Sequence, residues 1–119
     1  MPDQMPEVYE GDRPYAFVSY AHADRRAVLP IIGALVAQGH RVWYDDGIEL
    51  ATNYPDYIAD HVYGCAVFLM FISRASNASR WCRNEANYAL ALGKPILPIY
   101  LQKVELRRGL QMQLGATQS

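Results

Sequence analysis

Apolar and polar positions along this chain switch repeatedly between two periods. Tyr15 to Tyr20 (YAFVSY) is a β-rich run of strand length. Val28, Leu29, Ile32, Leu35 and Val36 then recur at helical spacing, and Gly39 stands where a C-terminal cap belongs. Pro30, inside that stretch, predicts either a kink or the point where regular helix begins. Arg41 to Tyr44 (RVWY) is a second short strand, followed by Asp45-Asp46-Gly47. Asn53 or Tyr54 can open the next helix, with Pro55 tolerated in its first turn. Tyr54, Ile58, His61, Val62 and Cys65 fall on one side of that helix. Residues 66–72 (AVFLMFI) are apolar at every position, as expected of a strand covered on both faces. Ser79 offers an N-cap for a helix running to about Leu92, Gly93 ends it, and Pro95 to Leu101 (PILPIYL) forms a fourth apolar strand.

Strands alternating with helices predict parallel strands joined by right-handed crossovers, an α/β doubly wound sheet. Residues 102–119 read as irregular to weakly helical, with no further strand. Residues 1–14 are polar with three prolines and read as a flexible lead-in, which leaves 15–119 as one domain. A chain of 119 residues has room for a single core, and 51% hydrophobic with 19% charged residues suits a packed globule. The net charge of −1 lacks the basic excess of a nucleic-acid or membrane-surface binder. Cys65 and Cys82 are too few for a disulfide framework and lie in no metal-ligand spacing. Asn77-Ala78-Ser79 matches a glycosylation acceptor, but no signal peptide accompanies it, so the match reads as coincidence. The longest apolar run, Cys65 to Ile72, is far short of the ~20 residues of a membrane helix. A reducing cytoplasmic compartment is the expectation.

Ligands of an open parallel sheet collect at the carboxyl ends of its strands. Those ends carry residues 20–24, then Asp45-Asp46, then Ser73-Arg74, then the turn entering the Trp81 helix. No Gly-x-Gly-x-x-Gly follows the first strand and no phosphate-loop motif exists, which argues against a dinucleotide dehydrogenase or a phosphate-loop nucleotidase. At about 100° per residue, Trp81, Glu85, Tyr88 and Leu92 share one stripe, flanked by Cys82, Ala86 and Ala89. Arg83, Asn84 and Asn87 fall on the opposite face. Glu85 thus lies in the buried or cleft-facing arc, where an ionised carboxylate is costly unless something binds it. Two readings stand: a cleft carboxylate, or a side chain that snorkels to solvent or pairs with Arg74 or Arg80. His22 with Asp24 reads first as a solvated turn in which Asp24 caps the first helix. Asp45-Asp46-Gly47 reads first as turn chemistry and second as a carboxylate pair for a metal or sugar. His40 and His61 read as structural or surface residues, and Cys82 has no base assigned to it.

Three strings together resemble the Toll/interleukin-1 receptor (TIR) domain family, especially its bacterial NAD-cleaving branch: Phe17 to Tyr20, Arg41 to Asp45, and Ser79 to Glu85. Gly93 to Ile99 resembles the family's helix-to-fourth-strand passage. The resemblance covers roughly residues 14–118 and implies a flavodoxin-like doubly wound sheet that here lacks the last strand and helix. It implies a longer parent protein with a possible C-terminal sensor module, and self-association through a loop spanning Asp45 to Asn53. It also implies NAD+ as substrate, with no cofactor and no metal. By the same resemblance Glu85 is the catalytic carboxylate and Trp81 a wall of the nicotinamide-ribose pocket, with Tyr20, Tyr44 and Asp45 near the substrate. Position 22, arginine in some catalytic relatives, is His22 here.

The implied reaction is NAD+ nucleosidase chemistry in bacterial antiviral defence, giving nicotinamide and ADP-ribose or a cyclic product. A glycosidase acting on an alkoxide leaving group needs an acid and a second carboxylate. Nicotinamide leaves a pyridinium as a neutral molecule, so one glutamate that stabilises an oxocarbenium-like transition state suffices. The competing reading is a non-catalytic adaptor that pairs with other TIR domains. A flavodoxin-like phospho-acceptor or flavin domain is a distant third, since no lysine follows the third strand.

Overall fold

The computed structural model describes residues 8–45 and 54–102, with the side chains of Tyr54 and Pro55 excepted. The elements run β1 (Ala16–Ser19), α1 (Arg25–Ala37), β2 (Val42–Tyr44), α2 (Tyr54–Gly64), β3 (Val67–Ile72), α3 (Arg74–Ala78), α4 (Arg80–Ala91) and β4 (Ile96–Tyr100), with a 3-10 turn at His22–Asp24. All strand pairs are parallel and the order is β2-β1-β3-β4. The expected α/β doubly wound sheet is therefore the observed one, with four strands among the described residues. The loop residues 46–53, the lead-in residues 1–7 and the tail 103–119 lie outside the described residues.

Strand alternation divides the core in two. Phe17, Trp43, Phe68, Met70 and Ile72 pack with Ile58 and Val62 of α2 and Ala86 and Ala89 of α4. Val18, Tyr20, Val42, Tyr44, Leu69 and Phe71 pack with Val28 and Ile32 of α1. Phe17 is the keystone of the first layer, fully buried, with ring centroids 5.3 Å from Phe68 and 5.2 Å from Trp43. Both faces of β1 and β3 are covered, which is why residues 67–72 carry no polar position. β4 departs from this: Leu97 and Tyr100 are exposed.

The helix ends follow their sequence signals. Gly39 (φ +93°) and Gly93 (φ +75°) adopt the left-handed conformation that closes a helix. In each case the next amide returns to the last turn, His40 N–H to the Leu35 carbonyl and Lys94 N–H to the Ala89 carbonyl. Ser79 Oγ accepts from Cys82 N–H and so starts α4. Pro30 sits at the sixth residue of α1 rather than at its start. The short helix α3 is an addition to the sequence reading. It is nucleated by a capping box in which Ser73 and Ser76 exchange side-chain-to-backbone bonds.

Residues 8–14 run past β2, with Tyr9 N–H donating to the Val42 carbonyl. Glu10 then gathers three donors, Trp43 Nε1 at 3.1 Å, Tyr57 Oη at 3.0 Å and His61 Nε2 at 3.0 Å. The His61 ring lies flat on Trp43, centroids 4.0 Å apart. Partial burial pushes the Glu10 carboxyl up, but the bonds from His61, Trp43 and Tyr57 outweigh it and hold the group below its ordinary value. A depressed carboxylate adds stability above its unfolded pKa, and that stability is lost as pH falls through the folded value. Glu10 is half exposed, so solvent screening keeps the effect small. Glu10→Gln should lower stability at pH 7 by about 0.5–1 kcal/mol and by much less at pH 3. Urea midpoints at the two pH values check this, and a pH-independent difference would refute it.

Candidate functional site

α4 leaves the turn after α3 with Cys82, Glu85, Ala86 and Ala89 turned inward. The helical period that buries three small or apolar residues buries Glu85 with them, at 8% exposure. Its partner is not an arginine. Ser19, the last residue of β1 and itself 2% exposed, donates from Oγ to Glu85 Oε1 at 2.8 Å. Strand alternation aims Ser19 at α4, the same face as Phe17.

Burial pushes the Glu85 carboxyl up to about 8. Hydrogen bonding from Ser19 and from the Trp81 side chain pulls the other way, while the negative charge of Asp45 adds to the rise. Cys82, one turn nearer the start of α4, is also buried, and burial raises its thiol pKa. The hydroxyls of Ser79 and Ser19 act against that rise and the charge of Glu85 adds to it.

Glu85 opens on a cleft of about 190 Å³ between α2 and α4. Ile58, Ala59 and Val62 form the α2 wall, and Trp81, Asn84 and Tyr88 flank Glu85 on α4. Trp81 is 40% exposed, so its indole is a wall of this cleft and not a core residue. Among the described residues the site is an apolar slot with one embedded carboxyl, no cation paired to it and one amide at its rim.

The other sequence-derived candidates fall elsewhere. Tyr20 and Tyr44 are buried on the opposite, α1-facing side of the sheet. Tyr20 Oη donates to the Asp45 backbone carbonyl at 2.8 Å, which anchors the end of β2. Asp45 is near enough to act electrostatically on Glu85, and its carboxylate stands 3.9 Å from His22 Nε2. Asp24 does not cap α1 through its side chain. Its Oδ2 instead accepts a short bond from Ser73 Oγ, tying the turn after β1 to the turn after β3. Asn84, read from spacing as part of a polar face, lines the cleft, and Ser19 was not anticipated at all. Among the described residues no cluster of His, Cys, Asp or Glu is arranged to hold a metal. No helix among them is long and apolar enough to cross a membrane.

A parallel doubly wound sheet with an apolar cleft and a buried carboxyl beside its central strands defines the class as α/β. Residues 16–117 match the TIR domain family, and the chain belongs to it. No curated protein matches. Solved structures share the fold at low identity. The TIR domain of the Toll-related receptor TRR-2 from Hydra magnipapillata aligns with a TM-score of 0.70 at 16% identity, over 81% of this chain and 77% of that one. A metazoan TIR-STING receptor from C. gigas gives 0.68 at 20%, over 97% and 42%. The TIR domains of the activated Roq1 resistosome, which directly recognises the pathogen effector XopQ, give 0.65 at 18%, over 74% and 57%. The chain thus spans a little over half of the Roq1 chain and less than half of the TIR-STING chain.

The folded Glu85 pKa lies above its ordinary value of 4.5, so the domain loses stability as pH rises from 4.5 through about 8. Glu85→Gln, which keeps an acceptor for Ser19, removes that loss. The variant should be more stable than the wild type at pH 7.5 by roughly 4 kcal/mol and nearly equal to it at pH 4. Chemical denaturation at both values tests this. A gap that does not close at low pH would contradict it.

Proposed function

We infer that this TIR domain is an NAD+ nucleosidase with Glu85 as its catalytic carboxylate. The observation that carries the reading is a carboxyl buried in an apolar cleft and held by a neutral hydroxyl, with no cation paired to it among the described residues. Such a group is poorly suited to stabilising the fold and well suited to stabilising positive charge that develops beside it. In the proposed step the bond between ribose C1′ and the nicotinamide nitrogen breaks, and its electron pair neutralises the pyridinium. The electron-deficient ribose faces the Glu85 carboxylate. Water then adds at C1′ and loses a proton to give ADP-ribose; adenine nitrogen in place of water gives a cyclic product.

Trp81 and Tyr88 offer flat surfaces for the nicotinamide and ribose, and the α2 wall is apolar, which strengthens the electrostatics once a substrate fills the cleft. Activity on self-assembly, with the Asp45–Asn53 loop at the contact and a role in bacterial antiviral defence, belongs to the same proposal. The likeness to TIR domains of an activated resistosome supports it.

The carboxylate is the working form and the free group titrates near 8. Nicotinamide release, followed as kcat/KM, should therefore rise with pH and level off above about 8. Glu85→Ala should reduce kcat by 100-fold or more, on the order of the loss of a main electrostatic group. Trp81→Ala should act chiefly by raising KM. Purified protein, concentrated or tethered into an oligomer and incubated with NAD+, provides the assay. Wild-type rates in Glu85→Ala would defeat the assignment. A protein that binds other TIR domains while leaving NAD+ intact would be an adaptor.

A further inference from the structure

We propose that Ser19 is a positioning residue for Glu85, holding Oε1 inside the sheet edge and leaving Oε2 as the oxygen offered to the cleft. The proposal rests on the reading of Glu85 as the reacting carboxylate, but its geometry stands independently. Ser19 is fixed by the parallel ladder of β1 with β3, where it lies opposite Met70. Ser19 is 2% exposed and its bond to Oε1 is 2.8 Å long, so the donor is a buried one.

A carboxyl on a helix has free rotation about its last bond, and without a fixed donor both oxygens would share the available directions. Ser19 breaks that symmetry. A hydroxyl also offers a proton without a charge. An arginine or lysine in its place would neutralise the carboxylate and remove the field that a developing cation would feel. Ser19 therefore orients the group and favours its ionised form to a limited degree, leaving it uncompensated.

The groups that face Glu85 are Ser19 from β1, Asp45 from the end of β2, and Trp81, Cys82 and Tyr88 from α4, with Ile58 and Val62 of α2 across the cleft. Among the described carboxylates, Asp45 is the one that opposes ionisation. Loss of the Ser19 hydroxyl removes a donor that the remaining polar neighbours replace only in part.

The test uses the full chain and three variants, Ser19→Ala, Ser19→Thr and Ser19→Val. Threonine and valine have nearly the same shape and differ by the hydroxyl, so this pair isolates the bond even if the alanine variant folds poorly. The first measurement is the ¹³C side-chain resonance of Glu85 through a pH titration, assigned with Glu85→Gln. Ser19→Val and Ser19→Ala should move the midpoint up by about one pH unit, and Ser19→Thr should restore it. The second is the rate of nicotinamide release. The pH profile of kcat/KM should move with the NMR midpoint, and kcat at pH 7 should fall about tenfold with KM changed less than about twofold.

Titration midpoints equal in Ser19→Thr and Ser19→Val would overturn the proposal. So would a loss of kcat in Ser19→Val with the pH profile unmoved. If the wild type releases no nicotinamide, the reading of the reaction fails, and the NMR titration alone decides whether Ser19 governs Glu85.

Discussion

The bond from Ser19 to Glu85 joins β1, a central strand of the sheet, to α4, and it forms where the chain reverses its direction of travel. From β1 the chain moves outward one way to β2; from β3 it moves the other way to β4. The helices that leave the two central strands go to opposite faces there. α1 covers one face, while α2 and α4 cover the other and leave a slot between them. The slot is apolar because its walls are also core. Isoleucine and valine of α2 pack on the sheet with one side and line the cleft with the other. Glu85 is the exception in that wall, tolerated because one strand residue is a serine.

Much of this was legible in the chain. The strands of β1, β2, β3 and β4 lie inside the runs that alternation and apolarity marked, and Ser79, Gly39 and Gly93 end or begin helices where their backbone chemistry requires. The Trp81–Glu85 stripe was legible for the same reason, since residues four apart share a helix face. The α2 wall was not, because a helical period says which face is apolar but not which helix stands opposite. Asn84 escaped because a cleft can be lined by a side chain that solvent reaches.

Tyr20 and Tyr44, expected near the substrate by resemblance, lie on the other face of the sheet from Ser19, as strand period requires. Odd and even residues of β1 must face opposite layers, and that signal would have singled out Ser19. Ser73 likewise reads as loop in isolation. Only the fold shows it fully buried and bridging to Asp24 across the sheet edge. The carboxyl that opposes folding at neutral pH is also the one to which the proposed reaction assigns the chemistry, a trade between stability and activity.

Cys82 draws a further consequence from its surroundings. A thiol three residues from a carboxylate would, in an open pocket, be the stronger nucleophile and the first atom to trap an electrophilic sugar or an oxidant. Here burial and the neighbouring acid keep it protonated, and its side chain is 7% exposed. The helix thus carries two ionisable groups one turn apart and buries both. Under the proposed chemistry, an electron-deficient ribose in the cleft would meet the oxygen of one and not the protonated sulfur of the other.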